Sequence, residues 1–365
     1  MEKKKIIKFF IESIVLTIIC VLVSYLVIKD SFIDVMKLIG NLNAFNVFAL
    51  VMVVIFLVAC NGFILKIVAS NFNKKFTIKD GAQCSLIGSL FSGITPFRAG
   101  YHFGMLYSYN KKNIKVRDGV VISYIEGTAY QFVITILCLV LSIYISFNPV
   151  QINISGSEMN INLIIYIVSS INLIASLGLI LIVKFKKIHE LIVKLCLKFS
   201  KIFLKKRNIN QIEIKVRESL TTIVNNSALL FEKKWQTVKI MLINFIRLIV
   251  IYSLPYIIYL FLSKGNFALS EYFICLAYAM VITFCLWIVP IPGGAGASEM
   301  LFYLLYSLVI TNETMIRASV LVWRFFTYYV NLILGMIVLL IIKNKDMIKE
   351  TREMKSISST QNNEE

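Results

Sequence analysis

The sequence predicts an all-α polytopic membrane protein, on three observations. Of its 365 residues, 58% are apolar and only 16% are charged. A soluble chain of this length could not cover its surface with so few charges. Several apolar runs reach the roughly 20 residues that cross a bilayer as a helix. The 38 basic residues are also strongly sorted along the chain.

Full spans are expected near 6–28, 44–70, 118–146, 161–184, 238–263 and 315–342. The first follows a basic start, "MEKKK", and its apolar part is too long for a cleaved signal, so it reads as a retained helix. Two more apolar segments, about 81–110 and 268–310, are broken in the middle by "GITPFRAG" and "VPIPGGAG". Their halves are short for independent crossings, so each is expected to be a re-entrant helical hairpin. Broken backbone at membrane depth is tolerated only against protein or a watery cavity. The prediction is about six full transmembrane helices plus two re-entrant hairpins, arranged as an inverted repeat. Residues 1–342 form one integral membrane unit, with a basic helical insertion at 185–237 and a charged tail at 343–365.

The charge sorting orients this path. The N-terminus, 66–79, 111–117, 184–239 and the tail after 342 hold four, four, four, fourteen and five basic residues, 31 of the 38. The loops assigned outside hold only Lys29, Lys37 and Lys264. By the positive-inside rule both termini are cytoplasmic. The span 44–70, a hairpin from the inside and the span 118–146 then match, in opposite direction, the span 238–263, a hairpin from the outside and the span 315–342. Inverted units with broken helices mark many transporters, with the substrate at the breaks. Within the insertion, "KKIHELIVKLCLKFSKIFLKKR" alternates apolar and basic residues at helical spacing. It suits a helix on an anionic leaflet, or a connector with no role beyond topology.

Charges inside spans invite functional readings. Arg98 sits at the first break and Glu126 in the following span; Glu299 follows the second break and Arg324 lies in the span after it. Each unit therefore holds one acid and one base, either as an ion pair pinning a hairpin or as the lining of a cavity for a charged lipid headgroup. Pro96 and Gly100 mark the first break. At the second, Pro290 and Pro292 end the incoming helix, and Gly293, Gly294 and Gly296 permit backbone conformations closed to other residues. The helix restarting near Ala297 offers free N–H groups and a positive dipole end, an anion site that would also stabilise Glu299. The glycines equally suit tight helix packing. His102, Glu12 and Arg247 are weaker candidates, and Trp235 and Trp323 read as interfacial anchors.

The chain has no GxxxxGK[ST] loop, no HExxH or other metal-ligand spacing, and too few histidines for a Ser–His–acid set. Its seven cysteines form no CxxC pair, so neither disulfides nor zinc is expected. No catalytic residue, metal or cofactor is assigned.

"PIPGGAGASE" (Pro290, Pro292, Gly293, Gly294, Gly296, Glu299) resembles the hallmark of the lysylphosphatidylglycerol synthase transmembrane-region family, the flippase-like domain proteins. "TPFRAG" (Pro96, Arg98, Gly100) is similar to that family's first motif, and "WRFFTYYVNLILG" (Arg324, Gly335) to its last helix. The likeness spans roughly 6–342. Where many members carry a Glu–Arg pair followed by an acid, this chain has "IEGTAY"; Glu126 fits, and Gly127 and Tyr130 do not. The resemblance implies a multi-pass protein of the bacterial plasma membrane that binds and translocates a charged phospholipid, phosphatidylglycerol or its lysyl derivative. It also implies the alternative of a phosphatidylglycerol lysyltransferase, or its membrane subunit, that supports cationic-peptide resistance. Nucleic acid would be a partner only in that second case, as lysyl-tRNA. Self-association is compatible with either.

Overall fold

A computed structural model describes residues 18, 22, 31–147, 151–154, 157–203, 209–265 and 267–344. The expected span 6–28, with Glu12, and the tail beyond 344 lie outside the described residues.

A short helix α1 (Phe32–Gly40) precedes α2 (Ala44–Ala69), whose start is fixed by Asn43, its side chain accepting from the Asn46 N–H at 2.8 Å. The first broken segment follows as α3 (Ile78–Gly93), a 3₁₀ turn at Pro96–Arg98, and α4 (Gly100–Lys111). Then come α5 (Val116–Phe147), α6 (Ile161–Lys184), α7 (Lys186–Phe203), α8 (Ile209–Glu232) and α9 (Lys234–Ser263). The second broken segment is α10 (Leu269–Ile288), a 3₁₀ turn at Pro292–Gly294, and α11 (Ala297–Tyr306). The last helix, α12 (Glu313–Asn344), carries a π-helical stretch at Phe325–Tyr329. Between α5 and α6 the backbone forms a small antiparallel ribbon, Gln151–Ile154 with Ser157–Asn160, paired Gln151 to Asn160 and Ile154 to Ser157. Apart from that ribbon the described fold is helical.

Six described helices are long and apolar enough to cross a membrane: α2, α5, the Asn162–Leu179 part of α6, α9, α10 and α12. The two broken segments differ in this respect. Limbs α3 and α4 have 16 and 12 residues, about 24 and 18 Å at 1.5 Å per residue. Limb α10 has 20, about 30 Å and enough to cross alone, whereas α11 has 10. The sequence expectation of two half-length limbs therefore fits the first segment better than the second.

Packing explains the difference. Along α10, Cys275 to Ile282 are buried without interruption, so this helix forms the centre of the largest core cluster with residues of α5, α9, α11 and α12. A helix that is apolar all round belongs in such a place. In contrast, α2 presents Phe45, Phe48, Met52, Ile55 and Phe56 outward, as a lipid-facing helix does. Trp323, read from sequence as an interfacial anchor, is buried against Phe302 with ring centroids 5.3 Å apart; Trp235 is exposed.

The first segment is tied off at its open end. Thr77 and Asp80 form a capping box at the start of α3. Lys112, just past α4, meets Asp80 at 2.6 Å, which joins the beginning of one limb to the end of the other. The insertion forms the helix pair α7 and α8, clasped by Arg217, which donates to both carboxylate oxygens of Glu190 (2.6 and 3.0 Å) and to Glu213 (2.9 Å).

Candidate lipid site between the two breaks

The two breaks meet: the Pro96–Arg98 turn packs against the Pro292–Gly294 turn, and α3 and α10 reach across to the opposite break. The second break closes on itself electrostatically. The Arg324 Nε donates to Glu299 Oε1 at 3.0 Å, and its two terminal nitrogens donate to the Gly293 carbonyl, both at 3.1 Å. The other Glu299 oxygen accepts from the Gly296 N–H (3.0 Å) and the Ser298 hydroxyl (2.6 Å). Glu299 is 1% and Arg324 2% exposed. The N-terminus of α11 is thus capped by a carboxylate of its own first turn. Sequence spacing alone made Arg324 a candidate partner for Glu299, and the structure joins them.

Only glycine suits this tip. Gly293 has φ 64° and a Cβ there would lie 2.1 Å from the Tyr328 hydroxyl oxygen. Tyr328 comes from the π-helical stretch of α12. Its ring lies 4.2 Å from the Arg324 guanidinium carbon, and its hydroxyl donates to the Gly93 carbonyl at the end of α3 (3.1 Å). One side chain therefore touches both breaks. A π-helical turn at such a place re-aims a residue that a regular helix would direct elsewhere.

The first break has another character. Phe97 and Arg98 both adopt positive φ, 55° and 54°, a conformation costly for non-glycine residues. The half-buried Arg98 has no hydrogen-bond or ion-pair partner among the described residues. The expected Arg98–Glu126 pair does not form. Glu126 is 7% exposed, and it too has no hydrogen-bond partner among the described residues.

Both line a cavity of about 770 Å³. Its wall draws on α2 (Asn61), α3 (Ser85, Ser89, Ser92), α4 (Tyr101, His102), α5 (Tyr130, Gln131), α6 (Asn172), α9 (Arg247), α10 (Thr283, Trp287), Gly293 and α12 (Thr327, Tyr328, Asn331). Among the sequence-nominated residues, Arg98, Glu126 and Gly293 line it. Glu299, Arg324, Gly294 and Gly296 stand behind it in the second break, while Pro96, Gly100, Pro290 and Pro292 shape the turns.

Arg247 faces the bundle interior. It donates to the side chains of Asn61 and Asn244 and lies 5.4 Å from the centroid of the Tyr130 ring. Its Nε is buried without a hydrogen-bond partner. Sequence reasoning could not place it, because a lone arginine in an apolar span suits an interface equally well. The one available signal was an asparagine one turn earlier on the same helix, Asn244, beside a second in α2. Gly127 opens onto the cavity, with nothing within 4 Å of where a Cβ would lie.

A bundle of membrane-spanning helices, with two broken segments meeting beside a cavity that carries charged side chains, defines a multi-pass membrane protein. The chain belongs to the family described as Lysylphosphatidylglycerol synthase TM region, which matches residues 7–335. No curated protein and no solved structure shows a significant match to it.

Proposed function

We propose that this protein takes a charged phospholipid headgroup, phosphatidylglycerol or its lysyl derivative, into the cavity between the two breaks and passes it between the leaflets of a bacterial plasma membrane. The single observation that carries this reading is that Arg98 and Glu126, neither with a hydrogen-bond partner among the described residues, line the same cavity. Ionisable groups left without protein partners at membrane depth are expensive, and a ligand of complementary charge offsets that cost. A phosphate suits Arg98, because a guanidinium fork binds phosphate oxygens with geometric specificity. Serine, asparagine and threonine side chains around the wall replace the water a headgroup loses when it leaves the surface. Acyl chains remain in the hydrocarbon, beside apolar helix faces. The Glu299–Arg324 pair positions the second tip behind the cavity. The excess of basic residues in the segments assigned to the cytoplasm supports cytoplasmic termini.

The direct test reconstitutes the full chain into vesicles with fluorescent phosphatidylglycerol and adds a membrane-impermeant quencher. Wild type is expected to bring inner-leaflet lipid within reach of the quencher. The same protected fraction as in protein-free vesicles would remove translocation. The family's description also names a synthase, which keeps a transferase role in view. Lysyl-lipid appearing in a host that makes none, on expression of this chain alone, would establish it.

A further inference from the structure

Resting on that reading, we propose that Glu126 is a proton-binding site coupled to the headgroup site, so that an anionic headgroup and a proton bind this cavity cooperatively. The carboxyl is more than nine-tenths buried, lines the cavity and has no hydrogen-bond partner among the described residues. No hydrogen bond among the described residues fixes it in one protonation state, in contrast to Glu299, whose oxygens accept from Arg324, Gly296 and Ser298.

The ionisable groups around it come from several elements. Arg247 of α9 is the countercharge acting on it, Tyr101 and Tyr109 of α4 and Tyr130 of α5 lie within its field, and Arg98, His102, Tyr124 and Tyr328 share the cavity wall. The walls from α2, α3, α6 and α10 bring no ionisable side chain to the cavity. With Glu126 ionised, the wall's formal charge is Arg98 plus Arg247 minus one; with Glu126 protonated, both arginine charges stand uncompensated. An anion therefore binds the protonated form more tightly, and by reciprocity the bound anion draws a proton onto Glu126. Among buried walls this coupling is screened less than between charges at the protein surface. A headgroup that crosses with its proton lets a proton gradient bias its direction.

The test is calorimetric titration of the detergent-solubilised full chain with short-chain phosphatidylglycerol, across pH and in buffers of different ionisation enthalpy. Wild type is expected to bind about tenfold more tightly at the acid than at the alkaline limit, a usual size for coupling between sites. It is also expected to take up a fraction of a proton on binding, largest at the middle of that transition and vanishing at both limits. Glu126→Gln is expected to keep the tight affinity at every pH and take up none, whereas Arg217→Ala, outside the cavity, keeps both effects. Wild-type uptake and pH dependence persisting in Glu126→Gln would overturn the inference. So would zero uptake by wild type across the range, a measurement that needs no variant to fold. Binding unchanged by Arg98→Ala would remove the cavity as the binding site and both readings with it. Binding that needs Arg98 but moves no proton removes the Glu126 inference alone.

Discussion

The two breaks are built from similar residues and use their charge differently. At the second, Arg324 spends its donors on Glu299 and the Gly293 carbonyl, and the pair is sealed from the cavity. At the first, Arg98 stands on strained backbone, the acid of the same unit faces the cavity, and neither has a hydrogen-bond partner among the described residues. A buried pair with all its hydrogen bonds made fixes a shape. An unpaired group at the same depth leaves its interactions open to a ligand. Two segments of like order along the chain thus carry one break that is sealed and one that lines the cavity.

Breaking the lock should have the largest effect. Arg324→Ala leaves the Glu299 carboxylate buried without its countercharge and is expected to destabilise the fold by about 3–5 kcal/mol, read from denaturant unfolding in detergent. Gly293→Ala drives a methyl toward Tyr328 at a positive-φ position; a loss of roughly 1–3 kcal/mol is expected in the same assay. Arg98→Ala sharpens the contrast. It removes no hydrogen bond or ion pair made among the described residues, so stability should not fall measurably below wild type, while affinity for phosphatidylglycerol falls at least about tenfold with the loss of a charge-assisted contact.

Two of the ion pairs away from the breaks set the lower end of the scale. Lys112→Ala, which opens the clasp on Asp80, should lower stability by less than about 1 kcal/mol, as expected of a partly exposed pair. Arg217→Ala should cause no resolvable shift in unfolding at neutral pH. The Arg217 hydrogen bond holds the Glu190 carboxyl below the ordinary carboxylate range. The small contribution it makes is therefore present above the unfolded-state value and lost as pH falls through the lower folded one. A pH titration of the Glu190 resonance in wild type and Arg217→Ala checks that direction.

Much of this architecture was legible in the chain. Proline and glycine act locally, so "TPFRAG" and "PIPGGAG" fixed the positions of both breaks from sequence alone. The separation of Glu299 and Arg324 was suggestive because a charge in a membrane helix needs a partner. What stayed hidden depends on rotation and depth, which hydropathy does not encode. The symmetry of acid and base between the units implied two equivalent pairs, yet Glu126 faces the field of Arg247 from α9 instead of meeting Arg98. Arg247 and Asn61 lie far apart in the chain, and only helix packing joins them. Similarly, α10 and α3 look alike as broken apolar segments. Their difference comes from α10 running through the core, where its middle, Cys275 to Ile282, is buried without interruption.

The most direct test of this division of labour measures unfolding and lipid translocation on the same two variants, Arg98→Ala and Arg324→Ala, in the same vesicles. The predicted result is an Arg98→Ala protein that unfolds like wild type and translocates phosphatidylglycerol far more slowly, beside an Arg324→Ala protein that loses stability first. An Arg98→Ala protein that translocates at the wild-type rate would contradict the account.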